Sequence, residues 1–398
     1  MTNDELRALT DCSGKGDIEA MERIIAQATG KTEFQDYALN SAVSQLIRHQ
    51  HYSILDKFVD KGLISTDLYD YNRFDTTVIN TLVKPLVMNG DMLDTYVTWL
   101  GSYLQQIEDI NEEVAGTTLL EYALRESAPI GLLKAIVDAG ADLHRVDQYG
   151  QTLLFKVCSL RMQPADRIGE LVCWLLAEGI DPNLGNVEQK TALHMAADTL
   201  KMEAATMLMD AGADPNLKDW HGESVFYYAA VRQFNADLLE KLLNYGTPDF
   251  HSVNKQGENL LNAFLRMMST DSDQNLRILI LLLEHGADLT EASLWYQQEK
   301  TGVDWLVERS AGTLEDVAGK GYLDLNYTDN DGNTLLHKVC QVAINYDENK
   351  ARDLYKKVKY LVGEGVDPQV ENRMDKKAVD YAMEDNLKVK TVEWLLKQ

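Results

Sequence analysis

Several residue groups have the types and spacing that could support chemistry, and each fails a specific requirement. His194 and His337 could ligate a metal or move a proton, but neither has a second ligand at the i+4 spacing that sets two donors on one helix face. His49 and His51 are two residues apart, so on a helix they point to different faces and cannot share a metal. Asp329-Asn-Asp331-Gly332 has the look of a calcium loop. With Gly332 as its sixth residue, however, the first and twelfth positions fall on Tyr327 and Lys338, where carboxylates are required. Gly30-Lys31-Thr32 has the ending of a phosphate-binding loop, yet Ile25 stands where the earlier glycine must be. Cys158 and Cys340 sit in matching Lys-Val-Cys segments and suit core packing better than reactivity. The remaining Asp and Glu pairs fit solvated helix faces or turns. No catalytic group, metal site or cofactor is expected, and the chain is expected not to be an enzyme.

Composition narrows the alternatives. The chain has 398 residues, more than the ~250–300 over which one core usually grows, so it must be several domains or a stack of small units. A hydrophobic fraction of 45% with 25% charged residues is that of a folded protein. With 38 Lys+Arg against 63 Asp+Glu the net charge is −25, which repels phosphate backbones and anionic lipids, so neither nucleic acid nor membrane is an expected partner. The first residues lack a basic segment followed by an apolar run, and the apolar stretch Ile278 to Leu283 is far shorter than the ~20 residues that span a bilayer. Four scattered cysteines without a Cys-x-x-Cys pair fit a reducing compartment. A cytoplasmic location is expected, with export by a signal-less route left open.

The elements that carry these residues recur. Gly62, Gly140, Gly179, Gly212, Gly246, Gly286, Gly321 and Gly365 each follow an apolar triplet on one helical face, from Leu55/Phe58/Val59 through Ala204/Met207/Leu208 to Val358/Leu361/Val362. A glycine there allows the left-handed conformation that stops a helix. A polar stretch follows each of the later stops. A second apolar segment then opens at Thr152, Thr191, Ser224, Asn259, Lys300, Thr334 or Lys377. Gly179 and Gly212 lie 33 residues apart and Gly212 and Gly246 lie 34 apart. Polar insertions at Ser159 to Glu170, Met268 to Gln274 and Ile344 to Arg352 lengthen other units at small entropic cost.

Thr191-Ala-Leu-His-Met-Ala196 resembles the helix opening of the ankyrin-repeat family. Ala211-Gly-Ala-Asp-Pro-Asn216, Ala139-Gly-Ala-Asp142 and His285-Gly-Ala-Asp288 are similar to its turn, and Asp331-Gly-Asn-Thr-Leu-Leu-His337 is similar again. The resemblance covers about residues 115–290 and 325–398. The family's proline after threonine is replaced here by Leu119, Leu153, Ala192, Val225, Leu260 and Leu335. The resemblance implies an all-α solenoid of about nine to ten stacked helix-turn-helix units with hairpin-like loops. Residues 1–115 would be divergent repeats with a cap, running into ankyrin repeats and a C-terminal cap over 116–398. It also gives His194 and His337 the structural role of bonding to neighbouring turns.

The family uses its hairpin tips and the concave face of its first helices to bind proteins. Carried over by position, the tips here are Gln148, Tyr149 and Gln151; Trp220, His221 and Glu223; Lys255, Gln256 and Glu258; Asn330, Asp331 and Asn333; and Arg373 and Met374. The facing helix positions are Ser159, Leu160, Asp198, Thr199, Val231 and Arg232. Tryptophan and tyrosine at tips are the residue types that dominate interface hot spots. The expected function is a non-enzymatic scaffold for a protein partner with a basic surface, its oligomeric state open. The alternatives are a dedicated inhibitor or immunity-type protein for a basic enzyme or toxin, and an enzyme with a site within residues 1–115.

Overall fold

Threonine, serine or asparagine stands before most of the short apolar segments. Its side-chain oxygen accepts the N–H three residues on, as Thr152 does from Phe155 and Asn259 does from Asn262. A computed structural model of the chain describes residues 1–27, 36–84, 90–161 and 163–398. The Gly30-Lys31-Thr32 segment lies outside these residues. The chain divides into two compact units, Met1–Ile180 and Asp181–Gln398. Residue 115 falls inside the first.

The first unit carries α1 (Asn3–Lys15), α2 (Ile18–Gln27), α3 (Asp36–Arg48), α4 (Tyr52–Asp60), α5 (Val78–Val83), α6 (Asp91–Leu104), α7 (Leu119–Arg125), α8 (Ile130–Asp138), α9 (Leu153–Ser159) and α10 (Ala165–Ala177). These pair as hairpins, and each pair stacks on the next: α3 lies between α1 and α5, and α4 between α2 and α6. Leu9, Ile54, Leu55, Phe58 and Leu133 are buried in the seams. Each such side chain contributes ~1.5–3 kcal/mol of transfer free energy.

The second unit repeats the scheme. It carries α11 (Ala192–Asp198), α12 (Met202–Asp210), α13 (Val225–Tyr227), α14 (Ala236–Leu243), α15 (Leu260–Met267), α16 (Asp273–Glu284), α17 (Gly302–Leu306), α18 (Ala311–Gly319), α19 (Leu335–Gln341), α20 (Glu348–Gly363), α21 (Ala378–Met383) and α22 (Val389–Leu395). First helices pack on first helices, as α15 on α17 and α19 on α21, and second helices on second, as α14 on α16 and α18 on α20. Each unit is thus a helical-repeat stack.

Several sequence expectations need correction. The all-α stack stands, and one of its loops is a two-stranded hairpin: β1 (Ala292–Trp295) and β2 (Gln298–Thr301) pair antiparallel with Tyr296 and Gln297 at positive φ in the turn. That hairpin moves the next helix start by one residue, so the cap is Thr301 and not Lys300. Before Gly212 the buried residues are Ala204, Ala205, Leu208 and Met209, so Met207 of the expected Ala204/Met207/Leu208 triplet is only half-buried and Met209 takes its place. Of the eight stop glycines all are left-handed except Gly246. The left-handed ends close with two bonds, as Gly212 N–H to Met209 O and Ala213 N–H to Leu208 O, whereas Gly246 keeps a helix-like N–H bond to Leu242 O. The insertions become partly helical: α10 and α20 begin at Ala165 and Glu348, adding turns at the starts of these helices.

Candidate functional site

Among the described residues six tips are closed by one recurring device. It starts at Asp147, Asn186, Asp219, Asn254, Asp329 and Asn372, five residues before the next helix cap. In each, one side-chain oxygen accepts the N–H groups two and four residues on. Asp219 Oδ1 accepts from His221 at 2.8 Å and Glu223 at 3.0 Å, and Asn254 Oδ1 accepts from Gln256 and Glu258 at 3.0 Å each. The backbone N–H of the first residue meets the carbonyl four on, as Asp219 to Glu223 O at 3.0 Å. The fourth residue takes positive φ: Gly150, Gly222, Gly257 and Gly332, but also Gln189 and Asp375. Only the two residues between are left to face outward.

Those two are the predicted positions. In the second unit Trp220, His221, Lys255, Gln256, Asn330, Asp331, Arg373 and Met374 are exposed on the tips. Trp220 is 57% exposed, with the Lys255 ammonium 4.3 Å from its ring centroid. Neighbouring tips are joined through the backbone: Trp220 N–H to Glu188 O at 2.7 Å, Lys255 N–H to His221 O at 2.8 Å, Leu294 N–H to Gly257 O at 2.9 Å, and Arg373 N–H to Asp331 O at 2.8 Å. In the first unit Gln148 and Tyr149 are exposed, while Gln151 is half-buried. Tyr149, Gln151, Ser159 and Leu160 line a cavity of about 340 Å³ with Leu124 and Leu153.

Other predicted contacts turn inward. Glu223 is buried and holds Arg232 at 2.6 Å, Glu258 is buried against Arg266 at 2.6 Å, Asn333 is buried against Asp329, and Val231 is core. Glu223, Glu258, Asn333 and Val231 are therefore removed from the partner surface. For Glu223, Glu258 and Asn333 the reason is the turn, whose fifth residue points back toward the first helix, while Val231 lies on the buried side of the Tyr228–Arg232 turn. Arg232 is reached through a π-turn at Tyr228–Arg232, where Gln233 N–H bonds to Tyr228 O. Its guanidinium lies 4.2 Å from the Tyr228 ring centroid, and Tyr228 donates to the buried Asp219 at 2.9 Å.

The cations on this inner face are matched by acids. Lys156 pairs with Glu121 at 2.6 Å and Asp147 at 3.1 Å, and Lys338 pairs with Asp304 at 2.8 Å and Asp329 at 2.7 Å. Burial alone would lower the Lys338 pKa, but its bonds to the two carboxylates outweigh it and raise it to about 12. Burial likewise works against Asp304 and Asp329, and the Lys338 ammonium still holds both below the usual carboxylate range. Glu223 goes the other way: burial raises it despite Arg232.

His194 accepts the Thr191 N–H at Nδ1, so Nε2 carries the proton to Glu223 O at 3.2 Å. His337 does the same from Thr334 to Lys376 O at 3.0 Å. Burial lowers the His194 pKa to about 4, which keeps the imidazole neutral. Burial raises the Cys340 thiol to about 12, an unreactive core group. Asp329-Asn-Asp331-Gly332 is one of the six tips. Among the described residues no group of three or more His, Cys, Asp or Glu could hold a metal ion, and no helix is long and apolar enough to cross a membrane.

Two exposed features escaped the sequence reading. The tip at Val187 and Glu188 carries Gln189 at the positive-φ position, as the Arg373–Met374 tip carries Asp375, and its Val187 is 57% exposed. The β1–β2 hairpin adds Tyr296, 82% exposed, and Trp295, whose ring lies 4.2 Å from the Arg266 guanidinium. The adjacent aromatics Trp295 and Tyr296 are the mark the sequence carries there.

A family profile described as ankyrin repeats (3 copies) matches residues 120–219 and 162–253. The chain is similar to the nuclear factor NF-kappa-B p105 subunit of Gallus gallus, 30% identical over 194 residues, 48% of this chain and 18% of that protein. It is similar to transient receptor potential cation channel subfamily A member 1 of Homo sapiens, 28% identical over 156 residues, 38% of this chain and 13% of that protein. It is also similar to an ankyrin repeat protein of Fowlpox virus, 37% identical over 71 residues, 18% of this chain and 12% of that protein. The match thus spans less than a fifth of the length of each of these relatives. The solved ankyrin repeat domain of Bcl-3 aligns at 22% identity and a TM-score of 0.49, covering 63% of this chain and 100% of that one.

Proposed function

This chain is an ankyrin-repeat protein, and from that premise we propose that it binds a partner protein with a basic surface through its hairpin tips and the exposed face of its first helices. The observation that carries the reading is Trp220. A tip anchored by Asp219 and bonded through the backbone to the tips on either side presents a large aromatic ring that is 57% exposed. An aromatic held in place loses little freedom on binding and suits the role of an interface anchor. The −25 charge supports the sign of the partner, as do Lys156, Arg232, Arg266 and Lys338, which are already tied to carboxylates.

Affinity capture from the native organism identifies the partner, and stopped-flow association from low to high salt tests the reading. Screening shortens from ~10 Å at 0.1 M to ~3 Å at 1 M salt, so the on-rate should fall steeply. A flat or rising on-rate removes the basic partner. A single partner held at nanomolar strength or better assigns the role of dedicated inhibitor, and several weaker partners assign a scaffold.

A further inference from the structure

The second unit contains a cavity of about 540 Å³ that the tips do not touch. It opens between the start of α18, the connection after α19 and the first half of α20. One part of its wall is apolar, with Val339, Val342 and Leu354. The other part carries Arg309, Lys350 and Lys357, three cations in a chain of net charge −25.

The acids lining the cavity are already engaged. Asp353 accepts the Ala311 N–H at 2.8 Å and pairs with Lys357 at 2.9 Å. Glu308 bonds Lys300 at 3.1 Å and stands 3.7 Å from Arg309. Donors exceed acceptors. The Lys357 side chain is 5% exposed and gives two of its three protons, to Asp353 and to Val307 O at 2.9 Å. Arg309 donates through Nη1 to Met268 O, while its buried Nε has no hydrogen-bond partner among the described residues. Arg167 in the first unit makes the same kind of bond, to Ala128 O, and also has an unbonded Nε. There Glu170 pairs with the guanidinium at 2.9 Å, whereas the carboxylates acting on Arg309 are Glu308, at the longer distance of 3.7 Å, and Asp271. Burial holds Arg309 and Lys357 below their usual pKa ranges, a direction that an approaching anion reverses.

We propose that this cavity binds a carboxylate carried on an apolar body. The oxygens meet Arg309 Nε and Lys357 Nζ, Lys350 adds its charge, and the apolar part lies against Val339, Val342 and Leu354. Glu308 and Asp353 in the same wall disfavour a dianion, which selects carboxylate over phosphate. Two sources share this chemistry: the C-terminus of a peptide ending in an apolar residue, and a free aliphatic acid. The proposal stands apart from the tip reading.

Isothermal titration calorimetry on the full chain tests it with four probes: the peptide Gly-Ser-Gly-Ser-Leu with a free C-terminus, its C-terminal amide, 4-methylpentanoate and inorganic phosphate. The free-acid peptide or 4-methylpentanoate should bind at least tenfold more tightly than the amide and than phosphate, and the tighter of the two acids identifies the source. Arg309→Gln should abolish that binding with an unchanged circular dichroism spectrum. If Arg309→Gln unfolds because Met268 O loses its donor, the exposed Lys350→Gln decides, and it should weaken the acid at least threefold. Equal binding of acid and amide, preference for phosphate, no binding by either acid, or indifference to Lys350→Gln overturns the proposal.

Discussion

The Lys255 ammonium lies over the Trp220 ring at 4.3 Å from its centroid, so two adjacent tips share one cation–π contact above the backbone bond from Lys255 N–H to His221 O. Such a contact at an exposed site contributes ~0.5–1 kcal/mol. Trp220→Ala should therefore lower stability by no more than about 1 kcal/mol while weakening the captured partner by ~2 kcal/mol or more. Urea unfolding and titration of the partner check the two halves. A loss of stability without a loss of affinity makes Trp220 a structural residue.

Leu242 and Met207 lie on the second helices of consecutive repeats, one fully buried and the other half-exposed. Leu242→Ala should cost ~2–5 kcal/mol through transfer and cavity terms. Met207→Ala should cost under about 1 kcal/mol. Equal losses in urea unfolding would contradict the helix register.

The His194 imidazole has a folded pKa near 4 because burial disfavours its charge, whereas in the unfolded chain histidine titrates near 6.5. Between those values the unfolded chain takes up a proton that the folded chain refuses. Stability from this site is thus complete above pH 6.5 and falls as pH drops toward 4. From pH 6.5 to 4.5 the loss should be roughly 2–3 kcal/mol. Asn262 holds the equivalent position in a later repeat, donating to Glu291 O and Lys300 O. His194→Asn should therefore fold and lack this part of the pH dependence. Parallel stability curves for the two proteins over that interval would count against the assignment.

Gln189 and Gly222 share the fourth position of a tip, both at positive φ, 60° and 77°. A side chain at positive φ costs ~1–2 kcal/mol, partly offset by the greater freedom of glycine in the unfolded chain. Gln189→Gly should stabilise by up to about 1 kcal/mol. Gly222→Ala should destabilise, because its Cβ would also stand 3.1 Å from Asn254 Cα. Thermal unfolding of both variants reads the two signs.

The repeat was legible because its markers are short-range. A glycine ends a helix by local conformation and a threonine starts one by a bond three residues away, so both show in sequence as fixed offsets. The exposed pairs at Trp220–His221 and Lys255–Gln256 followed from those offsets. Glu223 and Glu258 did not, because their inward turn depends on Arg232 and Arg266 eight to nine residues further along the chain. The hairpin at Ala292–Thr301 was hidden for a related reason: its strands are four residues each, too short for alternation to stand out from a loop. The buried cations Lys357 and Lys388 left no local mark either, since their acceptors, Val307 O and Cys340 O, belong to the preceding repeat.

The tip device separates two demands that loops usually have to meet with the same residues. Asp219 and Gly222 close their turn using a carboxylate oxygen and a φ angle, and the two residues between them supply only backbone to it. Trp220 and His221 can then change identity without changing the shape that carries them. The same holds at Gln148–Tyr149, Val187–Glu188, Lys255–Gln256, Asn330–Asp331 and Arg373–Met374. A library randomised at those pairs alone, with the first and fourth residue of each turn kept, should yield mostly folded members, and new binders could be drawn from it by selection without any redesign of the frame.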